Sequence, residues 1–163
     1  MKKVILLVAI IAAVFAKPGF AQNTPSQNVL SSYYDIKNAL VSTDAATASA
    51  KANDFVKAVN TVDAKSLAAA DQQTFAESKP QLIADAKHIA DSKDAEHQRA
   101  NFATLSANLF KLTKTVKLTD ATVYYDYCPM KKTYWLSADA AIKNPYFGKQ
   151  MLTCGKVSET LNK

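Results

Sequence analysis

The chain has 163 residues, 20 Lys and Arg against 14 Asp and Glu, and only three Gly. That length suits one domain with a single core, the scarcity of Gly excludes a glycine-rich phosphate loop, and the abundance of Ala favours helix. Lys2, Lys3 and Lys17 of the basic excess lie in the first 21 residues, and what remains is too small to indicate a nucleic-acid or anionic-membrane partner.

Met1-Lys2-Lys3 opens an apolar run from Val4 to Ala16, followed by Lys17-Pro18-Gly19-Phe20-Ala21 and a polar stretch from Gln22 to Asn28. This order of charge, apolar run and small residues reads as a signal peptide over 1–21, cleaved after Ala21. A bilayer-spanning helix needs about 20 apolar residues, and this run is shorter and interrupted by Lys17-Pro18. No Cys stands near the junction to accept a lipid, so no stable membrane anchor is expected. The expectation is one secreted, periplasmic domain over 22–163, in a compartment that oxidises thiols.

From Asn28 to about Val116 the apolar residues recur at helical steps. Val29, Tyr33, Ile36 and Leu40 form a first stripe that ends near Thr43-Asp44, where Asp44 is placed to cap the next helix. Ala48, Ala52, Phe55, Val59 and Val62 form the second. The third runs Phe75, Leu82, Ala86 and Ile89, with Ser78 and Pro80 marking either a kink or a restart. The fourth, Phe102, Leu105, Leu109, Leu112 and Val116, follows a turn and cap at Asp91-Ser92-Lys93-Asp94. The fold class implied is mainly α: an antiparallel four-helix bundle over 28–116.

Beyond Lys117 the texture changes. Five of the seven Tyr, the single Trp, both Cys, two of the three Met and two of the three Gly fall in a C-terminal cap over 118–155, expected to be small and of irregular or β structure. Val123, Tyr125 and Tyr127 alternate with Tyr124 and Asp126, as in a short strand, with Thr133 to Leu136 as its partner. Ser137 is placed to cap a brief helix over Ala138 to Lys143, broken by Asn144-Pro145, and Met151 to Cys154 reads as a final helical turn before Gly155.

Cys128-Pro129-Met130 sets a thiol and a thioether two residues apart, which in an extended segment points both sulfurs to one face. Met151-Leu152-Thr153-Cys154 repeats the pairing at a spacing of three, which does the same on a helical turn. Thiolate and thioether are soft donors that select Cu(I) or Ag(I) over hard cations, and Trp135 or Tyr127 nearby offers a cation–π contact. The competing reading is a Cys128–Cys154 disulfide, which would staple the tail and add roughly 3–4 kcal/mol, with Met130 and Met151 as gap-fillers in a core. Both readings stay open on spacing alone. His88 and His97 flank the turn at Asp91 to Asp94 and are candidates for a shared ion or for a partly exposed face. The aromatic cluster from Tyr124 to Phe147 suits a small core, with a carbohydrate or partner platform as the alternative if it is exposed. No nucleophile–His–acid order and no C-x-x-C pair stands out, so no enzyme is expected.

The segments Val123-Tyr124-Tyr125-Asp126-Tyr127-Cys128-Pro129-Met130, Tyr134-Trp135-Leu136-Ser137, Ile142-Lys143-Asn144-Pro145-Tyr146-Phe147-Gly148 and Met151-Leu152-Thr153-Cys154-Gly155, with Glu96-His97-Gln98-Arg99, Phe102 and Leu105-Ser106, form a recognisable pattern. It resembles an uncharacterised periplasmic domain family that also occurs fused to adaptor subunits of copper/silver efflux systems. The resemblance implies a helical bundle with a sulfur-containing C-terminal cap that binds or hands over copper or silver, in company with metal-efflux components. It points to Cys128, Met130, Met151 and Cys154 as metal ligands and to His97 as a subsidiary one.

Overall fold

The structure, a computed structural model, describes residues 24–161; the leader expected over 1–21 lies outside the described residues. Four helices come first: α1 (Pro25–Val41), α2 (Ala45–Thr61), α3 (Ala69–Ala90) and α4 (Ala95–Thr115). Three strands follow, β1 (Val123–Cys128), β2 (Thr133–Ser137) and β3 (Lys156–Leu161), in one antiparallel sheet of order β2-β1-β3. Among the described residues no helix is long and apolar enough to cross a membrane.

The helix starts are set by side chains that accept otherwise orphaned backbone N–H groups. Thr24 and Gln27 form a capping box on α1, Asp44 accepts from Thr47 N at 2.9 Å, and Asp94 accepts from His97 N at 2.7 Å. Each helix packs on the next in sequence, and α4 packs on β2. The apolar stripes all face inward: Val29, Tyr33, Ile36, Leu40, Ala48, Ala52, Phe55, Val59, Leu82, Ala86, Ile89, Phe102, Leu105 and Leu109 expose no measurable surface. Trp135, Leu136, Cys128 and Tyr146 belong to the same buried cluster, so the sheet shares its core with the helices.

The restart that Pro80 allows does not occur: α3 runs unbroken through it. The lost backbone bond and the ring clash cost about 3 kcal/mol, which burial of Phe75 before the proline and of Leu82, Ala86 and Ile89 after it offsets. The expected brief helix over 138–143 is absent; those residues bend without regular structure. The expected final turn over Met151 to Cys154 is present as a single hydrogen-bonded turn, and a 3-10 turn over Gly148–Gln150 precedes it. Strand β3, beyond the expected cap, is an added edge strand.

Across β1 and β2, Cys128 stands opposite Thr133, Asp126 opposite Trp135 and Tyr124 opposite Ser137. Strand alternation therefore puts Cys128, Asp126, Trp135 and Ser137 on one face and Tyr125, Tyr127 and Tyr134 on the other. The second face is an aromatic ladder in which Tyr125 stacks between Phe110 of α4 and Tyr134, while Tyr134 also leans on Tyr127. A register shift between Tyr125 and Asp126 interrupts the pairing with β3. Lys114 of α4 reaches Glu159 of β3 at 2.8 Å.

Candidate functional site: a thiol pair at the end of β1

Cys128 is the last residue of β1 and is fully buried. Cys154 is half-buried and arrives from the turn after Met151, where its N–H donates to Met151 O at 3.0 Å. Both are free cysteines, near enough that Cys128 acts on the Cys154 thiol. Burial raises the Cys154 pKa, and the neighbouring Cys128 raises it further.

Asn144 brings the two cysteines together. It is fully buried, and its Nδ2 donates to Cys128 Sγ at 3.2 Å and to the carbonyl of Cys154 at 2.6 Å. Its Oδ1 accepts from Tyr146 N at 2.8 Å, and its backbone N–H donates to Leu152 O at 2.7 Å. Lys131 N, in the β1–β2 turn, lies 3.5 Å from Cys128 Sγ. The sulfur of Cys128 thus accepts from two N–H donors, one on the loop of Asn144 and one in the β1–β2 turn.

Two further devices hold the loop that carries Asn144. Arg99, buried in α4, donates through Nε to Pro145 O at 2.9 Å and through Nη2 to Thr43 Oγ1 at 2.9 Å and Leu40 O at 3.2 Å, and pairs with Glu96. Gly148 sits at φ +54°, where a Cβ would meet Thr43 Oγ1 at 2.6 Å and Val41 O at 2.9 Å, so glycine alone fits there. At Gly155 a Cβ would meet Trp135 at 2.8 Å, so the chain beside Cys154 lies directly on the indole.

The remaining sequence-derived candidates are placed as follows. Met130 is 63% exposed on the β1–β2 turn, and Met151 is half-buried three residues before Cys154. His97 lies at the start of α4 and lines an open cleft with His88, Asp91 and Asp94. Among the described residues no group of three or more His, Cys, Asp and Glu side chains is arranged to hold a metal ion. Lys131 turns its ammonium toward Glu96 Oε2 at 3.6 Å and lies over the Phe147 ring.

Two residues that sequence reasoning did not single out share the face of Cys128 or serve it. Asn144 reads in sequence only as a breaker before Pro145. Asp126 reads as the polar partner of a strand alternation, yet it is fully buried and neither carboxylate oxygen has a hydrogen-bond partner among the described residues. Burial pushes its pKa up to about 7 against the pull of the Lys37 charge. Lys37 of α1 is itself buried and donates to Ser137 Oγ at 3.2 Å; burial lowers its pKa, and Asp139 and Asp126 oppose that.

Residues 29–121, from the first turn of α1 to the linker before β1, match the family described as a protein of unknown function, DUF3347. This chain belongs to that family. The DUF3347 match takes in most of α1 and all of α2, α3 and α4 and stops short of the sheet, so the thiol pair lies outside the matched residues. No curated protein and no solved structure matches the chain.

Proposed function

We propose that this DUF3347 protein is a non-enzymatic, periplasmic carrier of a soft monovalent metal ion, Cu(I) or Ag(I), acting beside metal-efflux components. In this reading the helices form an antiparallel four-helix bundle that serves as scaffold, and the ion sits between the sulfurs of Cys128 and Cys154. The observation that carries it is the common contact of two free cysteines with Asn144, whose Nδ2 donates to Cys128 Sγ at 3.2 Å and to the Cys154 carbonyl at 2.6 Å. Thiolates select Cu(I) and Ag(I), and a two-sulfur site suits ions that accept linear coordination. Zn²⁺ in a structural site takes four ligands, and no third His, Cys, Asp or Glu joins the pair among the described residues. Met151, three residues from Cys154, and the exposed Met130 supply thioethers on the same tail.

The test is a competition titration of the reduced protein against a chromophoric Cu(I) chelator under anaerobic conditions. One equivalent bound, and lost in Cys128→Ser and in Cys154→Ser, supports the carrier; chelator retention of all the copper overturns it. The same contact also favours a second reading, an interaction module stapled by a Cys128–Cys154 disulfide. That reading predicts a two-hydrogen mass loss in air-oxidised protein and no metal uptake after reduction.

A further inference from the structure

We propose that Asn144 is the positioning residue of this site, the side chain that stabilises negative charge on the Cys128 sulfur and thereby makes Cys128 the anchoring ligand and Cys154 the exchanging one. The inference rests on the carrier reading and deepens it.

Charge balance constrains the loaded site. A monovalent ion that binds both thiols releases both protons, M⁺ + 2 RSH → [M(SR)₂]⁻ + 2 H⁺, so the loaded centre carries one negative charge at the buried end of β1. A buried anion needs hydrogen-bond donors or a counter-charge. Lys131, whose backbone N–H meets Cys128 Sγ, turns its ammonium to Glu96 instead. Donors are already aimed at one of the two sulfurs: Asn144 Nδ2 at 3.2 Å and Lys131 N at 3.5 Å from Cys128 Sγ.

The two sulfurs are unequal in the same sense. When the ion enters, both thiol protons leave. Cys128 keeps its two N–H donors. Cys128 is fully buried and Cys154 is half-exposed, so the side open to an incoming or outgoing ligand is that of Cys154. Because Asn144 Nδ2 also donates to the Cys154 carbonyl, one amide sets both the charge on the anchor and the approach of the exchanging residue. Metal-site partners of this kind typically alter affinity by roughly 10- to 100-fold when removed.

The experiment compares wild type, Asn144→Ala, Asn144→Asp and Cys128→Ser for Cu(I) affinity and for the near-ultraviolet thiolate-to-copper charge-transfer band. Removing the amide is expected to weaken Cu(I) binding by roughly 10-fold and to move the band to longer wavelength, because a thiolate without its N–H donor holds its lone pairs less tightly. Asn144→Asp, which sets a carboxylate against the sulfur, is expected to weaken binding further than Asn144→Ala. A purely structural asparagine would change the melting temperature and leave the band where it is; that result, with Cys128→Ser abolishing binding, overturns the proposal and keeps the carrier. Copper binding by Cys128→Ser equal to wild type overturns the carrier reading itself. Should the Asn144 variants fail to fold, the wild-type protein with ¹⁵N-labelled asparagine gives the answer: Ag(I) is expected to shift the Asn144 side-chain amide protons, and an unmoved resonance overturns the proposal.

Discussion

The four helices and the C-terminal sheet are held together by different means. The helices are fixed by many interchangeable apolar contacts along regular stripes. In the C-terminal part, a buried asparagine and two constrained glycines, with a buried arginine reaching over from α4, each make a connection no neighbour duplicates. The first arrangement resists local damage; the second is easily broken and brings both cysteines against one asparagine. A protein that must place two thiols within reach of each other needs the second kind of structure, and needs the first to hold it.

Substitutions can break or sharpen that contrast. The largest effect is expected from Phe102→Ala in α4. Phe102 is fully buried, stacks on Tyr33 at 5.0 Å and touches Tyr146 at 6.1 Å between ring centres. Its loss leaves a cavity shared by both regions and costs about 3–5 kcal/mol; denaturant melts should show helices and sheet unfolding in one transition, and separate transitions would divide the two regions.

Next in size is Asp126→Asn. With its pKa raised to about 7, Asp126 binds a proton more tightly folded than unfolded, where the value is about 4. Ionisation therefore works against the fold: stability falls as pH rises from about 4 to about 7 and levels off above. The amide of the variant cannot ionise, so the variant is expected to match wild type near pH 4 and to exceed it at pH 8 by an amount on the order of 2–4 kcal/mol. Chemical denaturation at both pH values checks this, and a wild-type profile that rises over that range would contradict it.

Lys131→Ala should do least. Its pairing with Glu96 and its place over Phe147 are largely solvent-exposed, and such pairs contribute about 0–1 kcal/mol. A melting temperature close to wild type is expected. A large drop would show that the β1–β2 turn depends on its charge.

The helical region was legible because burial there follows one period. Every stripe residue from Val29 to Val116 is buried where spacing put it, and Asp44 and Asp94 cap as their positions require. Strands β1 and β2 were legible for the same reason at period two. Strand β3 was not, because Lys156-Val157-Ser158-Glu159-Thr160-Leu161 has no continuous apolar face and forms by backbone pairing to β1 along an exposed edge. Pro80 could not be resolved from sequence, since the penalty it carries is local and the packing that overrides it is not.

At the site, sequence named the two cysteines and could not say which other residues meet them. Cys128 and Cys154 both bond to Asn144, whose other bonds go to Leu152 and, within its own loop, to Tyr146. An Asn-Pro step between two cysteines was the one available signal, and it looks the same as an ordinary turn. Asp126 was hidden by alternation itself, because polar residues at every second strand position are normally solvated.

Extended X-ray absorption at the copper edge of the reduced, Cu(I)-loaded protein tests the central claim most directly. Coordination by the thiol pair predicts a first shell of sulfur alone, with at least two scatterers, that disappears in the Cys128→Ser variant. A shell containing imidazole nitrogen, or a reduced protein that takes up no copper, would contradict it.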